Sequence, residues 1–251
     1  MIEFEAVSRS YGSTEAVKQL DLIVQPGELF ALLGHNGAGK TTTIKMLVGL
    51  LRPGRGSIAI DGFDVARTPR EAAQRVGYVP DEPHLYDKLS GREFLSFVAN
   101  MHGLRAGTAD AALAAQIERF GLGSFVDQLT ESYSHGMKQR TVFAAAMLHD
   151  PRVLVVDEPL VGLDPHSIRL VKDLLKAHSQ RGATVFMSTH TLTAAEELAD
   201  RIGVMHRGEL IFLGTLEELR EQRHVVGGSL ESLYLSLVDE RGKPTPESPS
   251  P

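Results

Sequence analysis

Residues 34–42 read "GHNGAGKTT", and the reading of these nine residues frames the rest of the chain. They fit the pattern G-x-x-x-x-G-K-[ST]. Before them comes "ELFALLG" (28–34), a short apolar run ending in glycine, as a buried central strand should. After them comes "KTTTIKMLVGLL" (40–51), where Ile44, Leu47, Val48 and Leu51 fall at helical spacing until Pro53 and Gly54. Strand, glycine-rich turn and helix in that order make a phosphate cradle. Triphosphate oxygens need close approach of backbone N–H groups, which favours Gly34, Gly37 and Gly39, with His35, Asn36 and Ala38 between them. The helix points its positive end at the same place. Lys40 can reach the β- and γ-phosphates, the Thr41 hydroxyl can ligate Mg²⁺, and Thr42 completes the set. A dinucleotide cradle is excluded because Thr42 stands where its third glycine is needed.

A phosphate cradle calls for an acidic metal partner. "VLVVDE" (153–158) supplies Asp157 at the end of an apolar run, and Glu158 follows, placed to take a proton from an attacking water. The competing reading of this pair is a solvated acidic turn capping the next helix. His190 ends "ATVFMSTH" (183–190), at the strand edge where ligands of open α/β sheets collect, so it can touch a γ-phosphate or serve packing alone. Tyr11, after the first strand, can stack on an adenine or simply pack. "YSHGMKQR" (133–140) places Ser134 and Gly136 at a helix start that has no nucleophile or metal set of its own. The phosphate loop covers one side of a nucleotide. A second molecule could cover the other with its own "YSHGM" and receive the same in return, an isologous two-fold arrangement.

Outward from these motifs, "MIEFEAV", "LDLIVQ", "SIAIDG" and "RVGYVP" read as strands, and "RIGVMHRGELIFLGT" (201–215) as a hairpin turning at His206, Arg207 and Gly208. From 84 to 150 the pattern is helical, an insert between core segments 1–83 and 151–220. The helical "PHSIRLVKDLLKAHSQ" (165–180) separates two returning strands. "SLESLYLSLVDE" carries Leu230, Leu233, Tyr234 and Leu237 on one face, so a C-terminal helix is expected over 221–240 and a disordered proline- and serine-rich tail over 241–251. The 251 residues are 42% hydrophobic and 23% charged with net charge −6, ordinary soluble composition without a basic surface, so nucleic acid is a poor partner. The chain has no cysteine, which removes disulfides, thiolate metal sites and cysteine nucleophiles. No apolar stretch has the length of a membrane span or a signal core, so a cytoplasmic protein is expected, held at any membrane by something else.

Over residues 1–220 the chain resembles the nucleotide-binding subunit of ATP-binding-cassette (ABC) transporters, and the order of motifs carries the resemblance. Tyr11 stands as the aromatic loop, "GHNGAGKTT" as Walker A, "YSHGM" as the signature, "VLVVDE" as Walker B, "GLD" ending in Asp164 as the dimer-contacting loop, and His190 as the switch histidine. The resemblance implies a P-loop NTPase (RecA-like) α/β core with an antiparallel β subdomain and an inserted α-helical subdomain. It implies an ATPase using ATP and Mg²⁺ whose two copies, or a copy and a paralogous cassette, close around two ATP molecules. Ser134, His135, Gly136 and Met137 would then meet the nucleotide of the opposite subunit. It further implies a membrane permease as partner and a place on the cytoplasmic face of the membrane.

Two positions depart from the family. Asp81 stands where a glutamine usually follows "GYVP", so a Mg²⁺-water role there has a shorter reach. In the signature, Tyr133, His135 and Met137 replace leucine, the first glycine and glutamine, while Ser134 and Gly136 remain. The signature form, the single cassette and the terminal helix look like exporter subunits. The alternative is a soluble ABC-type ATPase acting in translation or DNA repair. Such proteins usually carry two cassettes or long coiled-coil inserts.

Overall fold

The computed structural model describes residues 1–222 and 229–242, the last four of these by backbone alone. In chain order the elements are β1 (Ile2–Tyr11), β2 (Thr14–Val24), β3 (Leu29–Leu33), α1 (Lys40–Leu47), β4 (Arg55–Ile60), β5 (Phe63–Asp64), α2 (Pro69–Ala73) and β6 (Val76–Val79). Then come α3 (Gly91–Met101), α4 (Ala106–Arg119), a 3₁₀ turn at Thr130–Ser132 and α5 (His135–Ala146). The chain continues through β7 (Val153–Asp157), α6 (Pro165–Gln180), β8 (Thr184–Thr189), α7 (Leu192–Leu198), β9 (Arg201–His206), β10 (Glu209–Gly214), α8 (Leu216–Gln222) and α9 (Leu230–Gly242).

The strands form two sheets. One is antiparallel in the order β2-β1-β4-β5; the other runs β10-β9-β3-β8-β7-β6 and is parallel except for β10. Alternation on the buried strands explains the layering. In β3, Phe30 and Leu32 face the antiparallel sheet and α1, while Leu29, Ala31 and Leu33 face the helices of the opposite layer. Phe186 of β8 packs on Phe30 and Phe4 with ring centroids 5.4 and 6.3 Å apart, joining the two sheets. This is the P-loop NTPase architecture, and it delivers the ends of β3, β7 and β8 to one edge. Helices α3, α4 and α5 all fall between β6 and β7.

Helix α1 is shorter than the apolar spacing to Leu51 suggests. It closes at Leu47 because Gly49 takes a left-handed φ of 77° and the Leu51 N–H returns to the Lys45 carbonyl. At the other end of the chain α8 stops at Gln222 and α9 begins at Leu230, within the stretch 221–240 expected to form one helix. Residues 223–228, and the expected tail from 243 onward, lie outside the described residues. Leu230, Leu233 and Leu237 of α9 are buried in the larger core cluster, so the apolar face read from the sequence packs onto the cassette.

Candidate nucleotide site

The phosphate loop joins the fully buried β3 to α1 and depends on glycine at definite points. Gly37 has a φ of 81° and Gly39 of 114°, conformations that side chains rarely adopt. A Cβ on Gly39 would lie 2.4 Å from the Ala16 carbonyl oxygen, and one on Gly34 would lie 2.5 Å from that of Met205. Lys40 opens α1 and is 6% exposed; its ammonium donates to the Gly34 carbonyl at 2.6 Å and to that of His35 at 3.4 Å. Burial pushes its pKa down, while Glu158 and Asp157 pull it back up. Thr41 is exposed in the first turn of α1 and Thr42 is half-buried beside it.

Asp157 closes β7 with 1% exposure, in register with Ser188 of β8. The Ser188 hydroxyl donates to Asp157 Oδ1, but Oδ2 is buried without a hydrogen-bond partner. Burial holds this carboxyl above the usual range; the Ser188 hydrogen bond lowers it, Asp81 and Glu158 raise it, and Lys40 lowers it. An orphaned, buried carboxylate oxygen with a hydroxyl-bearing helix start in the same motif set is the donor chemistry a divalent cation needs, so the residues fit Mg²⁺. Glu158 sits at a left-handed φ of 46° just past the strand end. Its Oε1 meets His190 Nδ1 at 2.8 Å and stands 3.9 Å from Lys40 Nζ. Its Oε2 accepts from the Thr189 hydroxyl at 3.1 Å and the His190 N–H at 3.3 Å. One carboxylate thus ties the phosphate loop to the end of β8. The acidic pair is therefore largely buried, and the cap of the next helix is Asp164.

Of the remaining residues singled out in the sequence, Asp81 is close enough to raise the Asp157 pKa, and the others make no hydrogen bond to this cluster among the described residues. Ser134 caps α5, its hydroxyl accepting from the Met137 N–H at 3.3 Å. His135 is exposed, its ring against Gly162, and Gly136 and Met137 are half-buried. Asp164 caps α6, accepting from the Ser167 N–H at 3.0 Å and the Ser167 hydroxyl at 2.7 Å, contacts that lower its pKa. Tyr11 ends β1 half-exposed with the Arg9 guanidinium 5.4 Å from its ring. Asp81 is exposed and accepts from the Glu82 N–H. Among the described residues, no hydrogen bond or ion pair joins Tyr11, Ser134 or Asp164 to the phosphate loop. Sequence reading passed over Ser188 and Thr189, the hydroxyls that hold the two acids. The signal was present in "STH", at the same sheet edge as "DE".

The family described as "ABC transporter" matches residues 17–161 of this chain. The linearmycin resistance ATP-binding protein LnrL of Bacillus subtilis is 38% identical over 240 residues, 96% of this chain and 76% of that protein. The Nod factor export ATP-binding protein I of Burkholderia pseudomallei is 41% identical over 220 residues, 88% of this chain and 72% of that one. A solved structure described as the ATP binding subunit of an ABC transporter superposes with a TM-score of 0.90 at 34% identity, covering 95% of this chain and 99% of its own. With a glycine-built phosphate loop, a buried lysine and paired acids at the edge of a parallel sheet, the chain belongs to the ABC transporter family as an ATP-binding, ATP-hydrolysing subunit.

Proposed function

We propose that this ATPase drives export through a separate membrane permease, with Mg-ATP held between two cassettes, either two copies of this chain or this chain and a paralogue. The observation that carries the reading is the one-sidedness of the site. Lys40, Asp157, Glu158 and His190 are assembled in one chain, while the capped helix start at Ser134 and Gly136 is open, with nothing within 4 Å of a Cβ at Gly136. In this reading residues 1–220 form the ATPase domain, with core segments 1–83 and 151–220 and a helical insert at 84–150. Tyr11 stacks on adenine, residues 34–42 bind the phosphates, and Asp164 lines the contact between cassettes. Ser134, His135, Gly136 and Met137 face the opposite nucleotide.

Glu158 is the base that takes a proton from water, and His190 holds its carboxylate and faces the γ-phosphate. Thr41, Asp157 and Asp81 would hold Mg²⁺, which neutralises charge on the phosphate oxygens when bound. Swinging a two-state equilibrium from 1:99 to 99:1 takes about 5.5 kcal/mol, shared by two sites. Charge-assisted hydrogen bonds from the Ser134 helix start, at about 1.5–3 kcal/mol each, match that requirement. An apolar groove of about 500 Å³ between β6 and α3, lined by Leu50, Tyr78, Phe94 and Met101 among others, offers the permease a seat beside Asp81. Among the described residues no helix is long and apolar enough to cross a membrane. The permease therefore keeps the cassette on the cytoplasmic face. The relative named for Nod factor export supports the direction of transport.

Glu158→Gln tests the assignment. A positioned base contributes about 10²–10⁴-fold in rate, so turnover should fall by that factor while ATP binding persists and ATP-loaded dimers accumulate in analytical ultracentrifugation. Near-normal turnover would overturn the reading.

A further inference from the structure

Tyr133 and Arg140 open and close the stretch "YSHGMKQR", and the nucleotide reading gives neither of them a task. Both meet at Phe125. Tyr133 is 6% exposed, and its ring stands edge-on to that of Phe125 with centroids 5.0 Å apart. Its hydroxyl donates to the Phe125 carbonyl at 2.9 Å. Two turns along α5, the Arg140 guanidinium lies 5.1 Å from the centre of the same ring and donates to the Phe120 and Gly121 carbonyls at 3.3 and 3.4 Å. The Tyr133 hydroxyl also fits against α3, since a Cβ on Gly91, the first residue of that helix, would lie 2.3 Å from it. Backbone bonds extend the seam, from the Arg92 N–H to the Val126 carbonyl at 2.8 Å and from the Thr130 N–H to the Leu89 carbonyl at 2.9 Å. Thr130 is fully buried, and its hydroxyl donates to the Tyr86 carbonyl at 2.8 Å.

The leucine that Tyr133 replaces would fill the same space without direction, because hydrophobic packing is non-directional. A hydrogen bond restricts both distance and angle. Tyr133 is held just ahead of the Ser134 cap and Arg140 two turns later, so two points fix the axis of α5 as well as its place. We propose that Tyr133 and Arg140 are positioning residues of the composite ATP site: clamped on Phe125, they aim the Ser134 helix start at the nucleotide of the opposite cassette. The inference rests on the two-cassette reading of the site. Among the described residues, no hydrogen bond or ion pair joins either residue to the phosphate loop of its own chain. Loss of the clamp should therefore weaken what two chains do together and spare what one chain does alone. One neutral hydrogen bond corresponds to about a 2- to 12-fold change in an equilibrium constant, and a two-fold dimer contains the clamp twice.

The test uses the full chain, well below its melting midpoint, and compares Tyr133→Phe, Arg140→Lys and the control Asp110→Ala, an exposed residue of α4. Two quantities are read for each: affinity for a methylanthraniloyl-ATP probe at low protein concentration, and the protein concentration at which specific ATPase activity is half-maximal. Tyr133→Phe keeps the ring and loses only the hydroxyl. Its half-maximal concentration should rise about 2- to 12-fold for each of the two sites, with probe affinity within about 2-fold of the unmodified chain. Arg140→Lys keeps the charge, loses the planar fork and should shift the concentration in the same direction. Asp110→Ala should shift neither quantity. An unchanged half-maximal concentration in Tyr133→Phe would overturn the clamp, as would a shift matched in Asp110→Ala or by an equal loss of probe affinity. Where Tyr133→Phe does not fold, the same outcomes in Arg140→Lys decide. If the unmodified chain shows no dependence on its own concentration, the two-cassette reading falls, and the clamp with it.

Discussion

Asp157 keeps one carboxylate oxygen buried and unpartnered beside Glu158, and burial outweighs the help of Ser188 and Lys40. A group held in that condition weakens the empty fold and becomes useful only when a cation arrives. Its pKa is raised on folding, so the unfolded chain is favoured wherever Asp157 must ionise. Asp157→Asn, which can still accept from Ser188, should raise the stability of the nucleotide-free protein by about 1–2 kcal/mol, read as a higher denaturation midpoint. Mg²⁺-dependent hydrolysis should fall at least 10²-fold in the same variant. A destabilised variant would show that the charge is matched in the empty site after all. The residues of this site were legible because phosphate chemistry demands rare combinations at fixed spacing: three glycines, a lysine and a threonine, then an acid pair after an apolar run. Ser188 and Thr189 were not legible as partners of the two acids. Each acts through a contact that only the sheet register creates, and serine and threonine are too common for position alone to mark them.

At the scale of elements, α3, α5 and β6 meet at a pair of histidines. His149, just past α5, reaches the Val76 carbonyl of β6 with Nε2 at 3.1 Å. Its ring stacks on that of His102, at the end of α3, with centroids 3.7 Å apart and planes 10° apart. Burial, then the neighbouring His102, pushes the His149 pKa down to about 4, and burial lowers that of His102 as well. His84 lines the groove that both histidines border, and Asp150, Asp61, Arg75 and Arg152 line the cavity on the other side of His149. Between the ordinary histidine value of about 6.5 and the folded value, the unfolded chain binds more protons than the folded one. The packing contribution is therefore complete above pH 6.5 and lost as pH falls towards 4, on the order of 3 kcal/mol for His149. Urea melts from pH 7 to 4 should show this slope, and His149→Gln should flatten it. An unchanged slope would mean that other groups carry the acid lability. The long elements were readable from periodicity, "PHSIRLVKDLLKAHSQ" being matched by α6 residue for residue. Helices α2, α7 and α8 were not; with five to seven residues each they offer fewer than two turns of pattern.

For the molecule as a whole, the sharpest question is whether one chain is enough, and Gly136 isolates it. This glycine is the second residue of α5, its φ is not in the left-handed region, and a Cβ there meets nothing within 4 Å. Within a single chain, then, alanine is free of strain and gains helix propensity, so Gly136→Ala should leave stability unchanged or raise it by a few tenths of a kcal/mol. ATP binding by isolated chains should also be unaffected, because the phosphate loop lies elsewhere. If a second cassette brings a triphosphate against this helix start, the added methyl stands in its path. Small misplacements at such a contact cost about 10²-fold in rate. Hydrolysis and ATP-dependent dimerisation should fall together by that order. Specific activity of the unmodified chain should rise with its own concentration, as a shared site requires. Full activity in Gly136→Ala, or turnover independent of protein concentration down to the nanomolar range, would place the whole reaction inside one chain. Because a methyl at this position meets nothing within 4 Å in its own chain, a defect there reports on a neighbour.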